Sequence, residues 1–180
     1  MRQSSIAQHA AGTALDCEEL YRAQHARIFQ LCRLLLVDHH EAEEVAQEVF
    51  LKLVREWQTG GHIRSWEAWL TRVAVNACRD RQRSAWWKWW RKGHTELQED
   101  DRPSPQLTPE QHALSREQQE HLWRCFRTLS ARQREVFVLR RMEGLSSEDA
   151  AKVLGLSSGS IKRHLFHAIQ NLQKAIGDRT

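Results

Sequence analysis

The stretch SEDAAKVLGLSSGSIKRHLFHAIQNL, Ser147–Leu172, decides how the rest of the chain is read. Its apolar residues Leu154, Leu156, Ile161 and Leu165 fall at helical spacing on either side of Gly155. The small pair Ala150-Ala151 lets one helix approach another, and a glycine at 155 allows the sharp turn between them. The predicted unit is a short helix opened by Ser146 or Ser147 and running to Leu154, then the turn Gly155-Leu156-Ser157. A long helix follows from Ser158 to about Ile176. A helix-turn-helix of this form lays its second helix in a DNA major groove, with its N-terminal residues toward the base edges. Ser158, Ser160, Lys162, Arg163, His164, Phe166 and His167 fall on or near the exposed part of that helix. Lys and Arg there suit phosphates and guanine edges, and Phe166 suits a thymine methyl. A plain helical hairpin with a solvated basic face is the competing reading. The coincidence of turn chemistry and a basic helix favours the reader.

Working toward the N-terminus, Ser130 is placed to cap a helix from Ala131 to Met142, which Glu143-Gly144 ends. A helix over Leu114–Thr128 precedes it, with Leu114, Leu122, Trp123 and Phe126 on its apolar side. All three prolines, Pro103, Pro105 and Pro109, lie in Gly93–Glu117, which holds six acids against two arginines. The flanks are basic. Such a segment between two periodic halves reads as a linker. The expected division is residues 1–14 as a flexible leader, 15–92 as one helical domain, 93–113 as a flexible acidic linker and 114–177 as the helix-turn-helix domain. The fold class is all-α, in two small domains.

The N-terminal half is helical throughout. Leu20, Ile28, Phe29, Leu31 and Leu35 recur at three- and four-residue steps in Leu15–Val37. Asp38 is placed to cap the next helix, whose stripe is Ala42, Val45, Ala46, Val49, Phe50, Leu53 and Val54. Gly60-Gly61 makes a loop, and a third helix starts near Ser65 and carries Trp66, Trp69, Leu70, Val73, Ala74 and Ala77. At 180 residues with a formal net charge of +4, the chain has room for one ordinary domain or two small ones. Its longest apolar run, Leu34–Val37, is far below the ~20 residues of a spanning helix. The first thirteen residues have no apolar core of a signal peptide. The reading is an intracellular protein.

Cys17, Cys32, Cys78 and Cys125 are scattered without a C-x-x-C pair, so disulfides are not expected. Cys32 and Cys78 read as small buried hydrophobes. No histidine set has zinc spacing, and His39-His40 and His164/His167 come nearest to a metal pair. Two charged segments remain. RDRQRSAWWKWWRK, Arg79–Lys92, holds six basic residues, one acid and four tryptophans. That mixture suits unpaired nucleic acid through phosphate neutralisation and stacking. Core packing of the tryptophans, or a place at a membrane interface, are its other readings. Asp38–Glu56 is the opposite, with six acids against Lys52 and Arg55. An acidic helix does not bind phosphate, so in a nucleic-acid protein it faces either solvent or a protein partner.

Taken together, three segments resemble a bacterial RNA polymerase sigma factor of the compact extracytoplasmic-function type, within the sigma-70 family. EAEEVAQEVFLKLV (Glu41–Val54) is similar to that family's core-polymerase-binding helix, and SWEAWLTRVAVNACRDRQR (Ser65–Arg83) to its promoter-melting segment. LSARQREVFVLRRMEGLSSEDAAKVLGLSSGSIKRHLFHAIQNL (Leu129–Leu172) is similar to its C-terminal helix-turn-helix domain. The resemblance implies that Glu44, Gln47, Glu48 and Phe50 grip the β′ clamp helices of core RNA polymerase, with the β subunit as a further contact. It implies that Asn76 lines a pocket for a base flipped from the −10 element. Arg64, Arg79 and Arg83 assist there, and the loop Thr59–Arg64 forms the rim. It implies that Ser158, Ser160, Lys162, Arg163, Phe166 and His167 face the −35 element. Two departures from the family pattern are mild, Glu44 for the usual Asp and Ser160-Ile161 for Thr-Val; His164 and His167 stand where Arg is common, so fewer fixed positive charges meet the −35 element. The cluster Trp86, Trp87, Trp89 and Trp90 matches no family motif.

The implied function is transcription initiation: binding core polymerase, recognising −35 and −10 promoter elements and promoting melting of the duplex. Promoter DNA and core polymerase are the implied partners, with a membrane-bound anti-sigma factor as the family's common regulator. The implied location is the cytoplasm, or the inner membrane when held by that regulator. No nucleophile–base set, metal site or phosphate-cradling loop is visible, so no reaction, cofactor or small-molecule substrate is expected. A one-component helix-turn-helix regulator with an N-terminal ligand or dimerisation domain is the rival. A peripheral membrane protein using Trp86–Trp90 is a third reading.

Overall fold

Local capping chemistry sets where each helix begins. In the computed structural model, which describes residues 16–36, 38–60, 62–92, 117 and 120–177 with the side chains of 85–92 excepted, no strand occurs among the described residues. Helix α1 spans Cys17–Leu36. Helix α2, His39–Gln58, starts where the Asp38 carboxylate accepts the Glu41 amide at 2.8 Å, and Gly60 at φ +70° turns the chain beyond it. Helix α3, Trp66–Lys92, starts where Ser65 Oγ accepts the Ala68 amide at 3.2 Å. The rings of Trp57 and Trp66 lie 4.9 Å apart, and Trp69 meets Trp66 edge-on at 5.7 Å. This stack closes the base of the loop between α2 and α3.

These three helices share one core. Ile28, Leu31 and Leu35 of α1, Val45, Val49 and Leu53 of α2, and Leu70 and Val75 of α3 are completely or almost completely buried. Each fully buried aliphatic side chain of this size is worth about 1.5–3 kcal/mol relative to exposure. Cys32 and Cys78 are buried among them and are free thiols. Their mutual contact and burial push the Cys78 thiol far up, so they pack as small neutral hydrophobes, as the sequence predicts. Val54 departs from the predicted stripe. It lies 43% exposed, because a seven-member stripe is wider than the face that α1 and α3 cover.

The C-terminal half opens with a helix α4 over residues 120–127. Helix α5, Ala131–Phe137, begins in a reciprocal capping box between Ser130 and Gln133. It then widens into a π-helical turn, Val138–Met142, where Glu143 N–H bonds to Val138 O at 3.0 Å. No sequence signal announced that widening. Helix α6, Ser147–Leu154, is capped by Ser146, and α7, Ser158–Gly177, follows the turn. Leu129, Val136, Leu139, Ala150, Leu154, Ile161 and Ala168 form its core. The predicted Leu114, the segment 93–113, the residues 1–14 and the side chains of Trp86, Trp87, Trp89 and Trp90 lie outside the described residues.

Gly155 ends α6 at φ +64°, ψ +39°, a conformation that costs an L-residue about 1–2 kcal/mol. A Cβ built there meets nothing within 4 Å, so the whole penalty is conformational. Gly155→Val is therefore expected to lower stability by at least about 1 kcal/mol. Gly159→Ala, whose Cβ meets only Ser157 Oγ at 3.9 Å, is expected to be neutral or mildly stabilising. Urea melts of the two variants check the contrast.

Candidate nucleic-acid interface

Helix α7 buries Ile161 and Ala168 and turns its other side outward. Lys162, Arg163, Phe166 and His167 are exposed, as predicted, with Phe166 at 57% and its ring 5.7 Å from that of His167. The pairs 162/166 and 163/167 are each one turn apart, so two cations and two rings share one surface. The helix start is organised from below. Ser157 Oγ accepts the Ser160 amide at 3.1 Å and lies 2.9 Å from Ser160 Oγ. Ser158 Oγ donates to Glu148 Oε1 of α6 at 3.1 Å. Ser158 and Ser160 are thus engaged in fixing the helix entrance as well as lying on it. The Glu148 carboxyl is held below its ordinary range by backbone and Ser158 hydrogen bonds, with Lys162 assisting. An exposed large aromatic among cations on a braced helix end is a surface suited to a DNA groove.

Helix α3 carries the second predicted set. Asn76 is exposed on the helix, not enclosed as a pocket-lining amide was expected to be. It is open to a base delivered from outside. Arg64 is exposed in the loop after Gly60. Arg83 is exposed and pairs with Asp80 at 2.7 Å. Arg79 is different. Its guanidinium is drawn into the protein, where Nε and one terminal nitrogen donate to Glu135 at 2.9 and 3.2 Å. That terminal nitrogen also donates to Leu154 O at 3.1 Å. Together with Gln82, Arg83 and Arg132, this pair lines a cleft of about 540 Å³ between α3 and α5.

Helix α2 supplies the third set. Glu44, Gln47 and Glu48 are exposed, but Phe50 is only 6% exposed. Its ring packs edge-on against Tyr21 at 4.8 Å and against His25 at 5.7 Å, so it positions α1 against α2 and does not offer itself to a partner. Two residues take its place on the open face: Leu51 at 59% and Val54 at 43% exposure continue the line of Gln47 at helical steps. The sequence pattern hid them, because periodicity alone cannot separate a buried aliphatic from an exposed one. A further group was missed altogether. Arg81 of α3 donates to Glu44 at 2.6 Å and Glu48 at 2.8 Å, with Glu41 at 3.9 Å. The Glu44 hydrogen bond leads in raising the Arg81 pKa. The acidic face is therefore braced from within. Among the described residues no three His, Cys, Asp or Glu side chains gather as metal ligands.

Comparison with known proteins accounts for the order of these surfaces. The Sigma-70 region 2 family matches residues 20–88, and the Sigma-70, region 4 family matches residues 119–172. The chain belongs to the sigma-70 family of RNA polymerase sigma factors, and within it to the extracytoplasmic-function type. It is 28% identical over 170 residues to the RNA polymerase sigma-E factor of Streptomyces avermitilis, covering 94% of this chain and 90% of that one. It is 29% identical over 173 residues to the extracytoplasmic-function sigma factor SigM of Mycobacterium tuberculosis, covering 96% and 83%. Two solved structures share the fold. The sigma factor RpoE of Bartonella quintana, in complex with the anti-sigma factor NepR, superposes with a TM-score of 0.73 at 21% identity over 91% of this chain and 98% of that one. CnrH, in complex with the cytosolic domain of CnrY, gives 0.60 at 21% identity over 91% and 89%. The sigma-70 assignment places the acidic α2 face and Asn76 in region 2, and the α7 surface in region 4.

The Arg81 network makes a salt-dependent prediction. Its carboxylates are largely solvated, so the pairs are screened and their combined worth is about 1 kcal/mol or less at low salt. Arg81→Ala should lower the melting temperature at low ionic strength. In 1 M salt, where the Debye length falls to about 3 Å, the difference from the unsubstituted protein should largely vanish.

Proposed function

We propose that this sigma factor binds core RNA polymerase through α2, opens promoter DNA with α3 and reads the −35 element with α7. The observation that carries the reading is the presence on one chain of an outward acidic-apolar face and an outward basic-aromatic helix, in the order of sigma regions 2 and 4. On α2 the contact set is Glu44, Gln47 and Glu48 with Leu51 and Val54, over an inner support of Phe50. A face that mixes carboxylates with bare aliphatics suits a protein helix pair such as the β′ clamp helices, and repels phosphate. On α3, Asn76 presents paired donor and acceptor atoms to the edge of an unpaired base. Arg64 and Arg83 neutralise the strand beside it, while Arg79 is engaged by Glu135 and the Leu154 carbonyl. On α7, Lys162 and Arg163 take phosphates or guanine edges, and Phe166 and His167 take apolar base edges. Ser158 and Ser160 set the helix end on the backbone.

The chain performs no reaction of its own in this scheme; the polymerase does the chemistry. Region 2 occupies residues 15–92 and region 4 residues 114–177, joined by 93–113. The protein acts in the cytoplasm, and an anti-sigma factor is its regulator, as in the complexes of RpoE with NepR and of CnrH with CnrY. No helix among the described residues is long and apolar enough to cross a membrane, so attachment there would come through that partner. In vitro transcription from candidate promoters with purified core polymerase, with this protein added or omitted, tests the proposal. Promoter binding that needs no polymerase and yields no transcript would favour a one-component regulator.

Two variants test the two readers. Asn76→Ala should leave polymerase binding unchanged and reduce open-complex formation, since extruding a base costs a few kcal/mol that such contacts help offset. Permanganate footprinting of thymines in the −10 element should show the defect on duplex DNA and little defect on a template with a pre-melted bubble. On α7, Lys162→Ala and Arg163→Ala should each weaken promoter binding. A lost phosphate contact reduces the salt slope by about one, and a lost base contact relaxes one promoter position at a cost of about 1–3 kcal/mol.

A further inference from the structure

Arginines stand at alternate positions 79, 81 and 83 of α3, and their surroundings differ. Arg83 is exposed, and Arg79 is engaged by Glu135 and the Leu154 carbonyl. Arg81 lies against α2 instead, with 23% of its side chain exposed. The turn that carries it is anchored, since Cys78 is buried and Gln82 Nε2 donates to Leu35 O of α1 at 2.9 Å. The two terminal nitrogens of Arg81 are divided between two acids. Nη1 donates to Glu44 at 2.6 Å and Nη2 to Glu48 at 2.8 Å. Those glutamates are one turn apart on α2, so a single planar fork spans both.

Two features separate this arrangement from ordinary surface pairing. The bonded glutamate side chains remain 64% and 51% exposed, so a partner can still reach their carboxylates, which accept more than one hydrogen bond each. They also belong to the face assigned to polymerase, with Gln47 and Leu51 exposed beside them. Without a cation, two carboxylates one turn apart repel each other and their side chains spread over several rotamers. A partner must then order both at the moment of binding, and each ordered side chain subtracts from affinity. With Arg81 in place, that ordering precedes the encounter. The drawback lies in charge: a cation beside the carboxylates weakens the field that draws a basic partner from a distance.

We propose that Arg81 is a positioning residue for polymerase binding, fixing the Glu44 and Glu48 carboxylates as a preformed pair on which basic groups of the partner dock. The helix that carries Asn76 thereby shapes the surface that meets protein. The inference rests on the assignment of α2 to the polymerase contact and adds to that contact a residue from a different helix. It carries a kinetic signature. Preorganisation stabilises the bound state and slows dissociation, whereas the Arg81 charge acts on the approach and slows association. Loss of Arg81 should therefore raise both rates. A general loosening of the fold would speed dissociation without speeding association.

Binding kinetics of the full chain on immobilised core RNA polymerase, at about 0.1 M salt and with helicity checked by circular dichroism, test the role. Arg81→Ala should dissociate about fivefold faster, the order expected when two glutamate side chains are ordered on binding and not beforehand. It should associate about twofold faster, as removal of one like charge roughly 10 Å from the approaching charges predicts. Arg81→Lys keeps the charge and loses the fork, so it should associate at the unsubstituted rate and dissociate faster. In a Glu44→Gln, Glu48→Gln background, Arg81→Ala should no longer speed dissociation, because the arginine then has no carboxylates to hold. Unaltered dissociation of Arg81→Ala and Arg81→Lys, when the double glutamine variant binds more weakly, overturns the positioning role alone. An effect of Arg81→Ala on dissociation that persists in the double glutamine background also overturns it. A double glutamine variant that binds polymerase as tightly as the unsubstituted protein overturns the assignment of α2, and the inference with it.

Discussion

The burial of one aliphatic stripe on α2 governs the N-terminal half. Val45, Val49 and Leu53 are sealed between α1 and α3, and that seal alone decides which residues of α2 look outward. A helix that must present one face to two neighbours has no freedom in the other. Glu44, Gln47, Glu48, Leu51 and Val54 are outward because their neighbours in sequence are inward. Arg81 then becomes intelligible. Three carboxylates on one exposed surface repel one another, and a guanidinium from the adjacent helix holds two of them at hydrogen-bond distance. Stability and surface chemistry are set by the same packing decision.

The C-terminal half solves a different problem with smaller parts. Helix α6 has only eight residues and could not persist alone in water. It persists because Ser146 caps one end, Gly155 turns the other, and Ala150, Ala151 and Leu154 bury its inner side. Its two ends are both used. Glu148 at the start holds Ser158, and the Leu154 carbonyl at the finish holds Arg79. A short helix thus ties the start of α7 to the other half of the molecule.

The elements legible in the sequence were those specified by neighbours in the chain. Asp38, Ser130, Ser146 and Gly155 act within three or four residues, and each stands where its local chemistry placed it. The exposed set on α7 was legible for the same reason, since a helical repeat with two buried positions fixes the rest. What escaped depends on partners far along the chain. Arg81 and Glu44 are 37 residues apart, and Arg79 and Glu135 are 56 apart. Nothing in the basic run Arg79–Lys92 distinguishes an arginine that meets an acidic helix from one that meets solvent. Val54 was misplaced by a related ambiguity: like Phe50 it fits the apolar repeat, but Phe50 is covered by Tyr21 and His25 of α1 and Val54 lies exposed. The π turn at Val138–Met142 has no compositional mark; it shows only in the structure, where the Glu143 and Leu145 amides reach back to Val138 O and Leu139 O.

The tryptophan stack at the base of the α2–α3 loop has a consequence for how such a protein diversifies. Trp57 and Trp66 hold the two helix ends together by their own contact, so the loop between them bears little of the tension of the fold. Residues there such as His62 and Arg64 are exposed, so replacing their side chains removes nothing from the core. Change is inexpensive at the rim and expensive a few ångström below it. A lineage of such chains is free to wander in what its loop touches while the scaffold stays still, and duplicated copies can diverge at that rim without first surviving a loss of folding.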